Sequence, residues 1–109
     1  MKAPIIGAMR TRLTLQVPVD TPDDNGGVAR TYANQASLWA QIVPAAASDR
    51  FYAQQMQTAI THQVTLRYLA NLTGQMRFAK GGRVFVIHAI EVLDERGRFM
   101  RCHCEEVRP

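Results

Sequence analysis

The chain has 109 residues, of which 47% are hydrophobic and 20% are charged, and thirteen Lys/Arg against nine Asp/Glu give a net charge of +4. A chain of this length can bury one hydrophobic core without support from disulfides or metal ions. The composition excludes disorder of the whole chain. The apolar runs are too short for a membrane-spanning helix of ~20 residues, and the mixed charge is unlike the dense Lys/Arg cluster of a dedicated nucleic-acid binder. Arg10 and Arg12 interrupt the N-terminal apolar run, so we expect no signal peptide and assembly in a cytoplasm.

Alternation of apolar and polar residues predicts a series of short β-strands. The first has Leu13, Leu15 and Val17 on its buried face, and Pro18 is expected to end it. The strand at 84–92 is apolar on both faces, as expected for a strand that is covered on both sides. The predicted strands cover residues 12–17, 28–32, 36–44, 60–68, 76–78, 84–92 and 99–107.

Two segments interrupt this pattern. Residues 20–27, rich in Asp and Gly, predict a long hairpin loop. The chain can reverse direction there because glycine adopts the positive φ angles that the turn needs. After Pro44, Ser48 or Asp49 can cap a helix of ~3 turns that places Tyr52 and Met56 on one side.

These elements together predict an all-β fold, a small β-barrel or sandwich of roughly seven strands with one inserted short α-helix. We expect a single domain over residues 1–109 with excursions at 18–28 and 44–59.

The sequence offers little catalytic chemistry. It lacks a Gly-x-Ser-x-Gly elbow, a phosphate-binding glycine loop and a His-Glu-x-x-His motif. Cys102 and Cys104 lie on one strand face while His103 points away, so at most two of these residues could reach a metal ion that needs three or four protein ligands. Strand spacing separates the two residues by a distance at or beyond the far edge of disulfide geometry, which favours reduced, buried thiols. We therefore expect no catalytic site, no metal and no cofactor.

Read in order, the segments RTRLTLQ, DDNGGVARTY, LWAQIVP, DRFYAQQ, THQVTLRY, GGRVFVI and CEEV resemble the phage head–tail joining family. These are the head-completion, or stopper, proteins of long-tailed bacteriophages and gene transfer agents. The resemblance runs over nearly the whole chain.

The resemblance implies a structural connector and not an enzyme. Copies of the chain would form a homo-oligomeric ring in the particle neck, between the portal-bound adaptor and the tail terminator or tail tube. The ring would close a channel that holds packaged double-stranded DNA, contacted without sequence readout. No membrane partner is implied.

The two excursions are the expected contact regions. Ring and partner contacts are predicted at Asp23, Asp24, Asn25, Gly26, Arg50, Phe51, Tyr52, Gln55 and Met56. Contacts with DNA in the channel are predicted at Arg50, Lys80 and Arg83.

Two other functions remain open at the level of sequence. A tail terminator or tail-completion protein can share the small-barrel architecture. A nucleic-acid-binding barrel of the oligonucleotide-binding type is the second, although the sequence shows no aromatic-rich strand on which bases would stack.

Overall fold

Six antiparallel strands form a closed barrel. The computed structural model describes residues 9–47, 59–93 and 96–107. The order around the barrel is β1-β2-β3-β6-β5-β4, and β4 pairs back onto β1. The predicted all-β small barrel is confirmed. The strands are β1 (Thr11–Pro22), β2 (Val28–Pro44), β3 (His62–Arg67), β4 (Arg77–Lys80), β5 (Arg83–Val92) and β6 (Phe99–Val107).

The described residues contain six strands where seven were expected, because two predicted strands are one. β2 runs without interruption from Val28 to Pro44. Its register against β1 shifts between the pairs Leu15↔Ala36 and Gln16↔Asn34, which leaves Gln35 as the extra residue of a β-bulge. The extra residue of a bulge shifts the alternation between inward and outward side chains by one position. The apolar–polar pattern in the sequence is therefore interrupted there, although the strand continues.

β1 was also expected to end at Pro18, and this was wrong. The strand continues to Pro22, still paired with β2. The pairing of β1 with β4 stops at Gln16, so in the described residues the far edge of β1 carries no ladder beyond that point. Proline is tolerated on such an edge because it removes no inter-strand hydrogen bond.

The inserted helix was expected to begin at Ser48 or Asp49, and residues 48–58 lie outside the described part of the chain. The ends of the excursion are described, and they meet. The Ala45 amide donates to the Thr61 carbonyl at 2.9 Å, and the Thr61 amide donates to the Cys104 carbonyl at 2.9 Å. The Glu106 amide donates to Thr61 Oγ at 2.8 Å. Thr61 thus links the end of β2, the start of β3 and β6.

The barrel interior holds one apolar cluster. Phe78 of β4 and Phe85 of β5 are fully buried at its centre, and Leu72, from the connection between β3 and β4, packs into the same cluster. The other members of the cluster are Leu13, Leu15, Ala40, Val64, Leu66, Ile87, Met100, Cys102 and Cys104.

β5 is covered on both faces only in its first half, so the expectation of a fully covered strand was wrong. Val84, Phe85 and Ile87 are buried, whereas His88 and Ala89 are exposed. The register against β6 shifts between Ile87 and Ala89. The irregularity at His88 turns the second half of the strand toward solvent, which a run of apolar letters does not reveal.

Cys102 and Cys104 are free thiols and are fully buried, as predicted. They pair with Val64 and His62 of β3 respectively, on the face that points into the core. Burial raises the pKa of Cys102 from its usual 9.0 to about 12. Burial also raises the pKa of Cys104, with a smaller contribution from Cys102.

The Phe85→Ala substitution should lower the free energy of unfolding by about 3–5 kcal/mol, because it empties space at the centre of the barrel that the cluster cannot refill. Chemical denaturation of the purified protein measures this loss. Val28→Ala is the matched control, since Val28 is 66% exposed, and it should change the free energy of unfolding by about 0.5 kcal/mol or less. Equal effects of the two substitutions would contradict the assignment of the core.

Neither thiol should react with a disulfide reagent at pH 8 until the protein is unfolded, when both should react. Well below pH 9 the two thiols should add no pH dependence to the free energy of unfolding, which should fall as the pH rises from 9 toward 12. In that window the unfolded thiols ionise and the folded ones do not, which costs up to about 1.4 kcal/mol per pH unit for each thiol. Cys102→Ala should reduce this alkaline slope relative to the wild-type protein. Rapid reaction of either thiol in the native protein would contradict their burial.

Candidate interaction surfaces

The β1–β2 hairpin extends beyond the barrel as a two-stranded ribbon, defined here as residues 17–33. It begins where β1 leaves β4 after Gln16, and six residue pairs follow, from Val17↔Ala33 to Pro22↔Val28. At the usual rise per residue these pairs span roughly 20 Å. Most side chains of the ribbon are exposed, so it stabilises little of the core and is available for contacts.

A polar chain fixes the base of the ribbon to the barrel. Arg77 Nε of β4 donates to Gln16 Oε1 at 2.7 Å, and Gln16 Nε2 donates to Asn34 Oδ1 at 2.9 Å. The Arg77 guanidinium also lies over the Tyr32 ring, 3.8 Å from its centroid, a favourable cation–π contact. Side chains of β1, β2 and β4 therefore hold the ribbon at its base.

One ion pair connects the two strands of the ribbon. Asp20 and Arg30 are directly opposite, and the guanidinium donates to both carboxylate oxygens, at 2.8 and 3.1 Å. The hydrogen bond from Arg30 lowers the pKa of Asp20 below its usual 3.8. Both side chains are about half exposed to solvent, so we assign the pair to strand register and not to stability.

The tip of the ribbon, residues 23–27, is an ordered turn. Asp23 Oδ1 accepts the amides of Asn25 and Gly27 at 2.9 and 2.7 Å, and the Asp23 amide donates to the Gly27 carbonyl. Gly26 has a φ of +82°, which favours glycine. A Cβ at Gly27 would lie 2.9 Å from Asp23 Oδ2, so a side chain there would displace the carboxylate that holds the turn.

The predicted interface residues divide into two groups. Asp23, Asp24, Asn25 and Gly26 lie together at the exposed tip. The second group falls outside the described residues, and it consists of Arg50, Phe51, Tyr52, Gln55 and Met56.

The predicted DNA contacts are only partly described, since Arg50 lies outside the described residues. Lys80 and Arg83 are opposite each other across the tight β4–β5 turn, where Gly81 has a φ of +58°. Because β4 runs antiparallel to β1 from Arg77 at the ribbon base, this turn lies at the barrel end away from the ribbon. Lys80 is exposed, whereas Arg83 donates to both carboxylate oxygens of Glu106, at 2.8 and 2.9 Å.

An apolar groove of about 710 Å³ lies where β2 and β3 begin to pair, and sequence reasoning missed it. Trp39 and Tyr68 are large side chains that remain 52% and 51% exposed there. The Arg12 guanidinium lies 5.1 Å from the Trp39 ring centroid. The groove is lined by Met9, Arg10, Leu38, Trp39, Leu66, Arg67, Tyr68 and Leu69.

The lining contains two arginines and no acid. The signal in the sequence was a pair of aromatic residues, each next to apolar residues. Trp39 lies at an outward position of β2, and Tyr68 lies just past the end of β3. That combination becomes a surface only when the pairing of the two strands is known.

The histidines of the barrel wall are partnered by acids. His88 lies 2.9 Å from Glu105, and His103 lies 3.0 Å from Glu91. No group of three or more His, Cys, Asp or Glu residues in the described ranges is placed to hold a metal ion. Those ranges also contain no helix long and apolar enough to cross a membrane.

Residues 5–107 match the model of the phage head completion protein family. The chain belongs to that family. The match covers nearly the whole sequence and confirms the resemblance read from the order of its segments, and it gives the chain a structural, virion-associated role in completing the phage head.

Two solved structures share the fold. Protein SF1141 from Shigella flexneri 2a superposes with a TM-score of 0.73 at 24% identity, covering 93% of this chain and 95% of that one. A chain of the virion of a native gene transfer agent particle superposes with a TM-score of 0.64 at 21% identity, covering 92% of this chain and 96% of its own length. No curated protein gives a significant match.

The Asp23→Ala substitution should loosen the tip without affecting the barrel, because it removes the acceptor of two backbone amides. The heteronuclear NOE of the Asn25 and Gly27 amides should fall, while values in β3 and β6 stay the same. Asp23→Asn keeps one carbonyl oxygen as acceptor and is the matched control, which should preserve the wild-type values. An unchanged tip in Asp23→Ala would show that other forces order the turn.

Proposed function

We propose that this head completion protein is a stopper, a connector subunit in the neck of a tailed phage or phage-like particle. Copies form a homo-oligomeric ring that binds the portal-bound adaptor on one side and the tail on the other. The ring closes the channel that holds packaged DNA. The subunit joins the particle in the bacterial cytoplasm, where heads and tails assemble.

The ribbon is the observation that carries this proposal. A small closed barrel with one apolar core is a rigid body, and closure leaves few open strand edges for unwanted pairing. A ribbon of about 20 Å, fixed at its base by Arg77 and Gln16, adds reach without adding to the core. A ring subunit needs this combination, because it must contact several neighbours while its own shape stays constant.

The described chemistry supports a structural role. The two thiols are buried with raised pKa, and the three histidines of the chain each have a described partner, Thr61 for His62 and an acid for each of the others. These groups serve packing and hydrogen bonding in the barrel wall. An enzyme would instead need a nucleophile or a base gathered in one cleft.

Contact with DNA in the channel is assigned to the β4–β5 turn. Lys80 is exposed at that turn and can approach phosphate directly, whereas Arg83 would first have to leave Glu106. Phosphate contacts of this kind do not depend on the base sequence of the DNA. A channel that holds packaged DNA of any sequence requires contacts of this kind. Lys80 is therefore the stronger candidate of the two.

Shortening the ribbon tests this function. Replacing residues 20–30 by Asn-Gly keeps the Val19↔Thr31 pair and closes it with a two-residue turn. The barrel should fold as before, because its pairing with β4 ends at Gln16, and the variant should fail to complete particles in a strain that lacks the wild-type gene. Circular dichroism and thermal melting measure folding, and the titre of infectious or DNA-transferring particles measures completion.

Val92→Ala, at an exposed residue of β5 outside the ribbon, is the control and should support a normal titre. A normal titre from the shortened variant would refute the role of the ribbon. Electron microscopy of the particle neck then tests position. Density for this barrel in direct contact with the portal-bound adaptor supports the stopper, whereas density on the tail tube, separated from the adaptor by another ring, would assign it as a tail terminator.

A further inference from the structure

The groove and the ribbon tip have complementary chemistry. The groove presents apolar and aromatic side chains between Arg10 and Arg67, and its lining contains no acid. The tip presents Asp23 and Asp24, and next to them Val28 has the highest exposure, 66%, of the large hydrophobic side chains described. A half-exposed pair of aromatic rings and a strongly exposed valine each gain from being covered.

One chain cannot bring its own tip and groove together. Val28, next to the tip, and Trp39 in the groove both belong to β2, eleven residues apart along a continuous strand. At the rise of a β-strand they are separated by roughly 35 Å, even allowing for the bulge at Gln35. Any contact between tip and groove must therefore join two molecules.

We propose that the ribbon tip of one copy docks in the Trp39–Tyr68 groove of the next copy. Val28 covers the aromatic rings, and Asp24 approaches Arg67. Each subunit carries both halves of this contact on different surfaces, and in a ring the contact runs head to tail from each copy to the next, as a heterologous interface. The inference rests on the proposed ring, and it names the surfaces that build it.

Asp24 is the better of the two acids to test. Asp23 holds the turn through its hydrogen bonds to Asn25 and Gly27, so its loss would disturb the tip itself. Asp24 and Arg67 are both exposed, and changing them removes no described backbone hydrogen bond.

Cross-linking in assembled particles tests the contact. The double variant Asp24→Cys/Arg67→Cys is treated with a short bismaleimide, and the native thiols stay silent because both are fully buried. A heterologous contact should give a ladder of multimers larger than dimers. Either single variant can give no more than a dimer, since each copy then offers one reactive thiol. The pair Asp24→Cys/Ala89→Cys, whose alanine is exposed on β5, across the barrel from β2, is the matched control and should give no ladder.

A charge exchange gives an independent readout. Asp24→Lys and Arg67→Glu should each abolish particle completion by placing like charges in contact. The double variant Asp24→Lys/Arg67→Glu should restore it, because the exchanged charges attract again. Rescue by the second change cannot come from misfolding, so it separates a direct contact from general damage.

The outcomes distinguish this inference from the function on which it rests. If the protein is present in complete particles but the paired cysteines give only monomers and dimers, the tip–groove contact is wrong while the stopper remains. If particles form fully without the protein, the stopper is wrong and the contact falls with it. Binding of oligo-dT by the free subunit, lost in Trp39→Ala and accompanied by no ladder, would overturn the proposal and assign the groove to single-stranded nucleic acid.

Discussion

The pairing of β1 with β4 is the contact on which the rest of the structure depends. Only three residue pairs make it, Thr14↔Ala79, Leu15↔Phe78 and Gln16↔Arg77. They close the sheet into a barrel, which encloses the apolar cluster around Phe78 and Phe85. The place where the pairing stops, at Gln16, is also where the ribbon begins. The end of this short ladder is therefore the boundary between the barrel, which contains the core, and the ribbon, which extends away from it.

The barrel and the ribbon are held in shape by different interactions. In the barrel, buried apolar area supplies the stability, and a pair of thiols packs as small hydrophobic groups. In the ribbon, backbone pairing, the Asp20–Arg30 ion pair and the Asp23 turn provide order with little burial. The side chains that link the parts, Arg77 and Gln16, transmit the orientation of one to the other. A neighbour that binds the tip thereby also orients the barrel.

Much of this architecture was predictable from the sequence. Alternating residues identified the strands and the inward faces, including Leu13, Leu15 and the two cysteines, because a half-buried strand leaves a period of two. The order of the segments identified the family. The tip was predictable as a turn, since Asp and Gly cluster there for reasons of backbone conformation.

The failures have specific causes. The bulge at Gln35 breaks the alternation of apolar and polar residues, so β2 was predicted as two strands. Pro18 was interpreted as a strand end because its position on a free edge depends on where the pairing with β4 stops. The groove was missed because Trp39 and Tyr68 are 29 residues apart and meet only through the β2–β3 register. Local pattern carries no information about such partners. Register and edge position are properties of the sheet, and a single strand does not encode them.

The continuity of β2 restricts how the ribbon can change in evolution. Its two strands must change length together, since an unmatched residue creates another bulge. Loss or gain of one pair would rotate the tip by half a turn of the pleat and present its opposite face, whereas a change of two pairs would preserve the face and alter only the distance. Ribbons of different length that still serve one docking site should therefore differ by an even number of residues on each strand.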